Sequence, residues 1–284
     1  MTRADPTQVF ERPGNNLSIA TPTLERHPRI VKQTDLGYII PMHINDYMNV
    51  PGTDISIESR FPVFCAKIPT LLQSIFCNAT YHSCRPMVNQ IIQKTDFSLS
   101  FLSQGEFETL NGFKALKKQM EWVCGRYMIK KLAKAALKSP LPLTELVVDY
   151  QEKGAPFLKS HPRVPLSLSH SGEYTVAGLS LDSDYLLGLD IEAIGPMPDG
   201  GFMKTAFTQR EIERMAPDPQ GVFRSWTLKE AYLKFIGMGF NENLHRVEII
   251  GDEIFHHGQR VPVKIHTQTI GKTYSLGMVM GKRP

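Results

Sequence analysis

The sequence predicts an α+β fold of two similar α/β halves related by a pseudo-two-fold axis, with an irregular N-terminal arm ahead of them. Three observations lead there. The run Leu102-Ser103-Gln104-Gly105-Glu106-Phe107-Glu108 parallels Phe207-Thr208-Gln209-Arg210-Glu211-Ile212-Glu213 at an offset of 105 residues. Farther on, residues 122–130 parallel residues 226–234 at an offset of 104, which sets the chain's two tryptophans, Trp122 and Trp226, at matching places. Residues 174–181 and 185–192 are strand-like runs around the turn Asp182-Ser183-Asp184, so an antiparallel sheet is implied. Chance likeness between amphipathic helices is the alternative to duplication, but two collinear matches at nearly one offset favour duplication. Two halves packed in this way leave a cleft between them for a ligand.

Taken in order, residues 1–36 are rich in Pro, Thr, Asn and charge without periodicity and read as the arm. Residues 37–165 form the predicted first half and 166–284 the second. In the first half, residues 37–49 and 61–67 carry β-branched and aromatic side chains suited to strands, and 68–76 suits a helix. Residues 37–67 are expected to supply the leading strands of this half. Ser103-Gln104-Gly105-Glu106 has the capping-box spacing, in which hydroxyl and carboxylate each satisfy a free amide at a helix start. Between Lys114 and Lys138, apolar Leu116, Met120, Val123, Tyr127, Leu132 and Ala135 recur at helical spacing, and the run stops before Ser139-Pro140. Residues 143–150 read as a strand. In the second half the Gly- and Pro-rich run 195–201 breaks the pattern, Thr208-Gln209-Arg210-Glu211 repeats the capping box, and 223–235 is helical. Residues 248–250, 261–265 and 274–280 read as strands of a closing meander. His256-His257-Gly258 reads as a hairpin turn rather than a metal site, because no carboxylate or cysteine stands nearby at ligand spacing.

A content of 42% hydrophobic and 21% charged residues describes a soluble globular chain and excludes collagen-like, coiled-coil and wholly disordered ones. The 32 basic and 28 acidic residues leave a net charge of +4, too little to argue for nucleic acid as the main partner. No membrane span and no signal peptide are read, since the longest apolar stretch, 61–77, is interrupted by Pro62, Lys67 and Pro69. Cys65, Cys77, Cys84 and Cys124 are irregularly spaced without a CxxC pair, which indicates neither a zinc site nor a disulfide framework, so a reducing cytoplasm is expected. The sequons at Asn16 and Asn78 are then chance matches. The charge is unevenly placed: residues 112–139 carry Lys114, Lys117, Lys118, Arg126, Lys130, Lys131, Lys134 and Lys138 against one acid, Glu121. A solvated helix face is the plain reading, and phosphates or an acidic protein the functional one.

The chemistry gathers in the second half. Asp190-Ile191-Glu192 puts two carboxylates on one face of a strand, with Ile191 on the other. Hard cations need such oxygen ligands, and Mg²⁺ commonly takes one or two carboxylates plus phosphate oxygens. A solvent-facing acidic strand end is the alternative. Glu230 and Lys234 lie i, i+4 on one helical face, either as a helix-stabilising ion pair or as a third metal ligand or base beside a cation for phosphate. Leu168-Ser169-His170-Ser171-Gly172 reads as a polar turn whose hydroxyls and imidazole suit a phosphate. It lacks the GxSxG pattern of a nucleophile elbow.

In order, Gly154-Ala155-Pro156, Leu166-Ser167-Leu168-Ser169-His170-Ser171, Gly188-Leu189-Asp190-Ile191-Glu192 and Phe223-Arg224-Ser225-Trp226-Thr227-Leu228-Lys229-Glu230-Ala231-Tyr232-Leu233-Lys234 resemble the 4′-phosphopantetheinyl transferase superfamily, in its large pseudo-dimeric, surfactin-type class. The likeness spans roughly residues 100–245 and fades in the first 95. It implies transfer of the phosphopantetheine arm of coenzyme A to a serine of an apo acyl or peptidyl carrier protein, with Mg²⁺, releasing 3′,5′-ADP. It further implies that Asp190, Glu192 and Glu230 hold Mg²⁺, that Glu230 is the base for the carrier serine, and that Lys234 steadies the diphosphate. Ser169 and His170 would contact coenzyme A phosphates, and Arg126 would supply a further cation. The family's Gly-Lys-Pro is Gly154-Ala155-Pro156 here, so Lys153 or a residue of the basic run would replace the missing lysine. Glu211 needs no role beyond its capping box. The resemblance points to a cytoplasmic, pseudo-dimeric monomer of fatty acid, polyketide or nonribosomal peptide synthesis, without nucleic acid or membrane partners. A catalytically silent coenzyme A or carrier-binding module of the same fold is the alternative, and a metal-dependent phosphohydrolase a third reading.

Overall fold

Both capping boxes read in the sequence start helices in the computed structural model, which describes residues 52–76 and 99–283. The expected strand at 37–49 lies outside the described residues. Two strands, β1 (Thr53–Asp54) and β2 (Val63–Lys67), lead into α1 (Ile68–Phe76). Then come α2 (Gln104–Gly112), the long α3 (Leu116–Ala136), β3 (Val148–Tyr150), β4 (Pro156–Leu158), β5 (Leu166–Ser171) and β6 (Tyr174–Leu179). The chain continues through β7 (Tyr185–Ala193), α4 (Gly200–Ala206), α5 (Gln209–Arg214) and α6 (Pro219–Phe235). It ends in β8 (Val247–Ile250), β9 (Glu253–His256), β10 (Gln259–Arg260), β11 (Lys264–Ile270) and β12 (Tyr274–Lys282).

The strand expected at 143–150 shrinks to β3, because Pro142 and Glu145 close a turn before it. The strand expected at 261–265 begins only at Lys264. Helix α4 was not read from the sequence: Asp199 caps it by accepting from the Phe202 N–H at 2.8 Å, immediately after the breaking run.

Two antiparallel sheets carry the architecture, one in the order β1-β2-β6-β5 and one in the order β11-β12-β7. An apolar layer joins their facing sides: Phe61, Val63, Cys65 and Val176 of the first meet Leu187, Leu189, Ile191, Leu276 and Met278 of the second. Helices α1, α2 and α3 bury their apolar faces on the other side of the first sheet, and α6 covers the second. By sheet membership, β5 and β6, which follow the division expected at 165/166, lie in one sheet with β2, β6 pairing with β2 and β5 with β6.

The internal repeat has a physical basis deeper than the capping boxes. Buried Glu106 accepts from the Ser103 N–H (2.9 Å) and the Val148 N–H (3.2 Å) and pairs with buried Lys130, which also donates to the Phe101 carbonyl (2.9 Å). Glu211 repeats every bond, accepting from the Thr208 N–H (2.8 Å), the Ile249 N–H (2.9 Å) and Lys229 (2.7 Å), while Lys229 donates to the Ala206 carbonyl (2.8 Å). The capping box is therefore only part of what Glu211 does. Lys130 corresponds to Lys229, an offset of 99, which corrects the helix register of 104 read from the tryptophans.

Candidate functional site

Three serines fasten the two sheets together. Ser167, Ser169 and Ser171 alternate along β5 and so share one face, turned towards β7. Ser167 Oγ accepts from the Leu189 N–H (2.9 Å), and Ser169 Oγ donates to Asp190 Oδ1 (2.7 Å). Ser171 Oγ accepts from the Ala193 N–H (3.0 Å) and donates to Glu192 Oε2 (2.9 Å). The polar turn expected at 168–172 is thus mostly strand, and only Gly172, at φ +54°, turns the chain. The backbone of β5 ladders with β6 over its whole length, and its hydroxyls make the bonds to β7, so a serine-rich run of poor intrinsic propensity is held on two sides.

Helix α6 comes unusually close to the second sheet. A Cβ at Gly188 of β7 would lie 1.9 Å from the Ala231 carbonyl oxygen, and one at Gly277 of β12 would lie 2.9 Å from the Thr227 backbone. Two missing side chains let the helix settle on the strands, and this brings Glu230 and Lys234 over the carboxylates of β7. Lys234 Nζ donates to Asp190 Oδ1 at 2.6 Å, so the lysine pairs across elements rather than along its own helix. Asp190, Glu192 and Glu230 each offer a carboxylate oxygen within 4.8 Å of the others.

Electrostatics mark this cluster as short of positive charge. Burial first, and then the negative charge of Asp190, pushes the Glu230 carboxyl up to about 8 against the pull of Lys234. The Glu192 carboxyl is raised for the same two reasons, in the same order. Asp190 is 1% exposed, and its Oδ2 is buried without a hydrogen-bond partner. A buried carboxylate oxygen with no donor, facing two more carboxylates, fits a hard divalent cation that keeps some of its waters.

A cavity of about 300 Å³ opens beside the carboxylates, and Ser169, His170, Glu230, Lys234, Arg126 and Lys153 all reach its wall. His170, the penultimate residue of β5, stands opposite Glu121 of α3, with Nδ1 3.6 Å from Glu121 Oε2. Burial lowers the imidazole pKa while Glu121 raises it. Arg126 sits between the rings of Trp122 (4.5 Å) and Tyr150 (5.1 Å), donates to Tyr150 Oη at 2.8 Å, and has a buried Nε that makes no hydrogen bond but faces Glu106 Oε1 at 3.7 Å. Lys153 is exposed at the cavity edge, with Nζ 3.1 Å from Met238 Sδ. Phe240, 68% exposed, stacks on Trp226 at the same wall.

All the residues read from the sequence therefore converge on one place. Ser169 reaches the cavity wall while its hydroxyl donates to Asp190 Oδ1. Glu121 and Tyr150 were not read as functional, since the one acid of a basic run and a strand-end tyrosine carry no motif. The basic run is likewise not a uniform solvated face, for Arg126 and Lys130 are buried while Lys114, Lys117, Lys118 and Lys138 are exposed.

Residues 186–277 match the family model of the 4′-phosphopantetheinyl transferase superfamily. An L-aminoadipate-semialdehyde dehydrogenase-phosphopantetheinyl transferase of Rattus norvegicus is 32% identical over 143 residues, 44% of this chain and 45% of that one. The 4′-phosphopantetheinyl transferase psf-1 of Bacillus pumilus is 28% identical over 37% of this chain and 45% of its own. The 4′-phosphopantetheinyl transferase HetI of Nostoc is 29% identical over 52% and 64%. The chain spans about half the length of the first of these relatives. A holo-(acyl-carrier-protein) synthase from Bacillus anthracis, solved in complex with CoA (3′,5′-ADP), aligns with a TM-score of 0.30 and 19% identity over 42% of this chain and 91% of that one, a likeness too slight to argue from.

Proposed function

We propose that this chain, which belongs to the 4′-phosphopantetheinyl transferase superfamily through residues 186–277, transfers the 4′-phosphopantetheine arm of coenzyme A to a serine of an apo carrier protein and releases 3′,5′-ADP. The observation that carries the reading is the convergence of Asp190, Glu192, Glu230 and Lys234 at the mouth of a cavity walled by His170 and Arg126. Phosphoryl transfer asks a protein mainly for positioning and charge neutralisation, and this arrangement offers both.

Asp190, Glu192 and Glu230 would hold Mg²⁺, which when bound neutralises charge on the diphosphate of coenzyme A. Lys234 supplies a fixed cation to the same diphosphate, held at the site by Asp190. Ser169 and Ser171 orient Asp190 and Glu192 from β5, so their carboxylates need little reorganisation. Glu230 is the group placed to take the proton of the incoming carrier serine. His170 offers the phosphates an imidazole steadied by Glu121, and Arg126 a guanidinium already set between two rings. Lys153, at the cavity edge, takes the place of the lysine missing at Ala155. Magnesium dependence, a cytoplasmic setting and a monomer acting on carriers of fatty acid, polyketide or nonribosomal peptide synthesis complete the reading.

The test is direct. With coenzyme A and Mg²⁺, the protein adds the mass of the arm to an apo carrier protein. Asp190→Ala abolishes the gain while carrier binding survives, which also separates an enzyme from a silent binding module. No mass gain on carriers from all three pathways would refute the proposal.

A further inference from the structure

A second cluster of ligand side chains lies behind α6, away from the carboxylates of β7. Glu242 follows the short turn of 3-10 helix Gly239–Asn241, His256 ends β9, and His257 opens the two-residue turn into β10. His257 and Gly258 have φ of +52° and +74°, as expected of the two central residues of a type I′ hairpin. In sequence, no carboxylate or cysteine stands near these histidines at ligand spacing. Glu242, 14 residues from His256 in sequence, is that carboxylate in space, with Oε2 3.3 Å from His256 Nε2.

The carboxylate is already oriented. Its Oε1 accepts from the Asn243 N–H at 2.8 Å and faces Arg246 at 3.6 Å, which leaves Oε2 for the histidines. The imidazole is oriented as well: His256 Nδ1 lies 3.0 Å from Tyr232 Oη, and Tyr232 is 2% exposed on α6. A phenol can donate or accept. When it accepts from Nδ1–H, Nε2 is the unprotonated nitrogen and points at Glu242, an outer-partner arrangement typical of metal-bound histidine. One ring nitrogen of each histidine and one oxygen of Glu242 lie within 4.8 Å of one another. Exposed His257 is free to close that spacing to the roughly 3.3 Å edge implied by tetrahedral bonds of about 2.0 Å.

We propose that Glu242, His256 and His257 bind one divalent ion of the zinc class, with water in the fourth position. Two imidazoles and one carboxylate select zinc-like ions, whereas the all-oxygen cluster of Asp190, Glu192 and Glu230 suits harder ones. The ion acts as a clip: it ties the β9–β10 hairpin to the segment 239–242, whose Phe240 forms part of the cavity wall. The inference stands apart from the transferase reading.

The experiment uses the full chain, stripped of metal and then saturated with Mg²⁺ so that the oxygen cluster is filled. Titration with Co²⁺ should give visible absorption bands of a low-coordinate site, displaced by one equivalent of Zn²⁺, and Zn²⁺ should raise the melting temperature. His257→Ala, at an exposed position, should remove both effects. Tyr232→Phe, which keeps the packing but not the hydroxyl, should weaken Zn²⁺ about 10- to 100-fold. Failure of the wild-type chain to bind Zn²⁺ saturably, or binding that His257→Ala and Glu242→Gln leave unchanged, would overturn the proposal.

Discussion

Asp190 holds two donors at once, Ser169 from β5 and Lys234 from α6, and still has one oxygen unsatisfied. Removing Ser171 tests the support of its neighbour. Ser171→Ala strips a donor from Glu192 and an acceptor from the Ala193 N–H, so it should cost about 1–3 kcal/mol in denaturant unfolding and weaken Mg²⁺ binding. Glu121 acts through His170. Since Glu121 raises the imidazole pKa, Glu121→Gln should move it farther below 6.5 in an NMR titration. The sign for stability follows: the folded pKa is depressed, so the unfolded chain takes up the proton first as pH falls through 6.5, and stability drops there. The variant should deepen that drop. Asp190 and Glu192 were legible in the sequence because strand alternation is a local rule. Glu121 was not, because its partner His170 lies 49 residues away and only the fold brings them together.

At the scale of elements, α3 and α6 are pinned by buried Glu–Lys pairs, and α6 is also seated on two glycines. Lys229→Met leaves Glu211 buried without its cation and should destabilise the chain by about 3–5 kcal/mol, read from the urea midpoint. Gly188→Ala pushes α6 off β7. It should cost about 1–3 kcal/mol and, because Glu230 and Lys234 ride on the displaced helix, lower Mg²⁺ affinity more than Lys229→Met does at temperatures where both remain folded. The helices themselves were readable from capping boxes and periodicity. Their mutual register was not: Trp122 and Trp226 are conspicuous, but the correspondence is set by Lys130 and Lys229, whose burial no local pattern reveals. The serine-rich strand β5 was missed for a related reason, since its hydroxyls are satisfied by β7 and not by a turn.

For the whole molecule, the sheets meet through an apolar layer with a polar edge, and the candidate site occupies that edge. The duplication was legible as repeated sequence. The sheet order was not, because β6 follows β2 by more than 100 residues in sequence yet pairs with it, and β5 joins that sheet only through β6. Chelation by EDTA should therefore stop carrier modification without unfolding the protein, since the apolar layer owes nothing to the cation, and Mg²⁺ should restore it. The serine fastening has one more consequence. Side-chain bonds, unlike a ladder of backbone bonds, close only when both surfaces are already shaped, so two separately expressed pieces cut at Ser183–Asp184 would behave as an AND gate. Neither fragment owns a complete Asp190 environment: one brings Ser169, the other the carboxylate and Lys234. Fused to two interacting proteins, the pieces would report that interaction by labelling a carrier, with an output switched on by assembly alone.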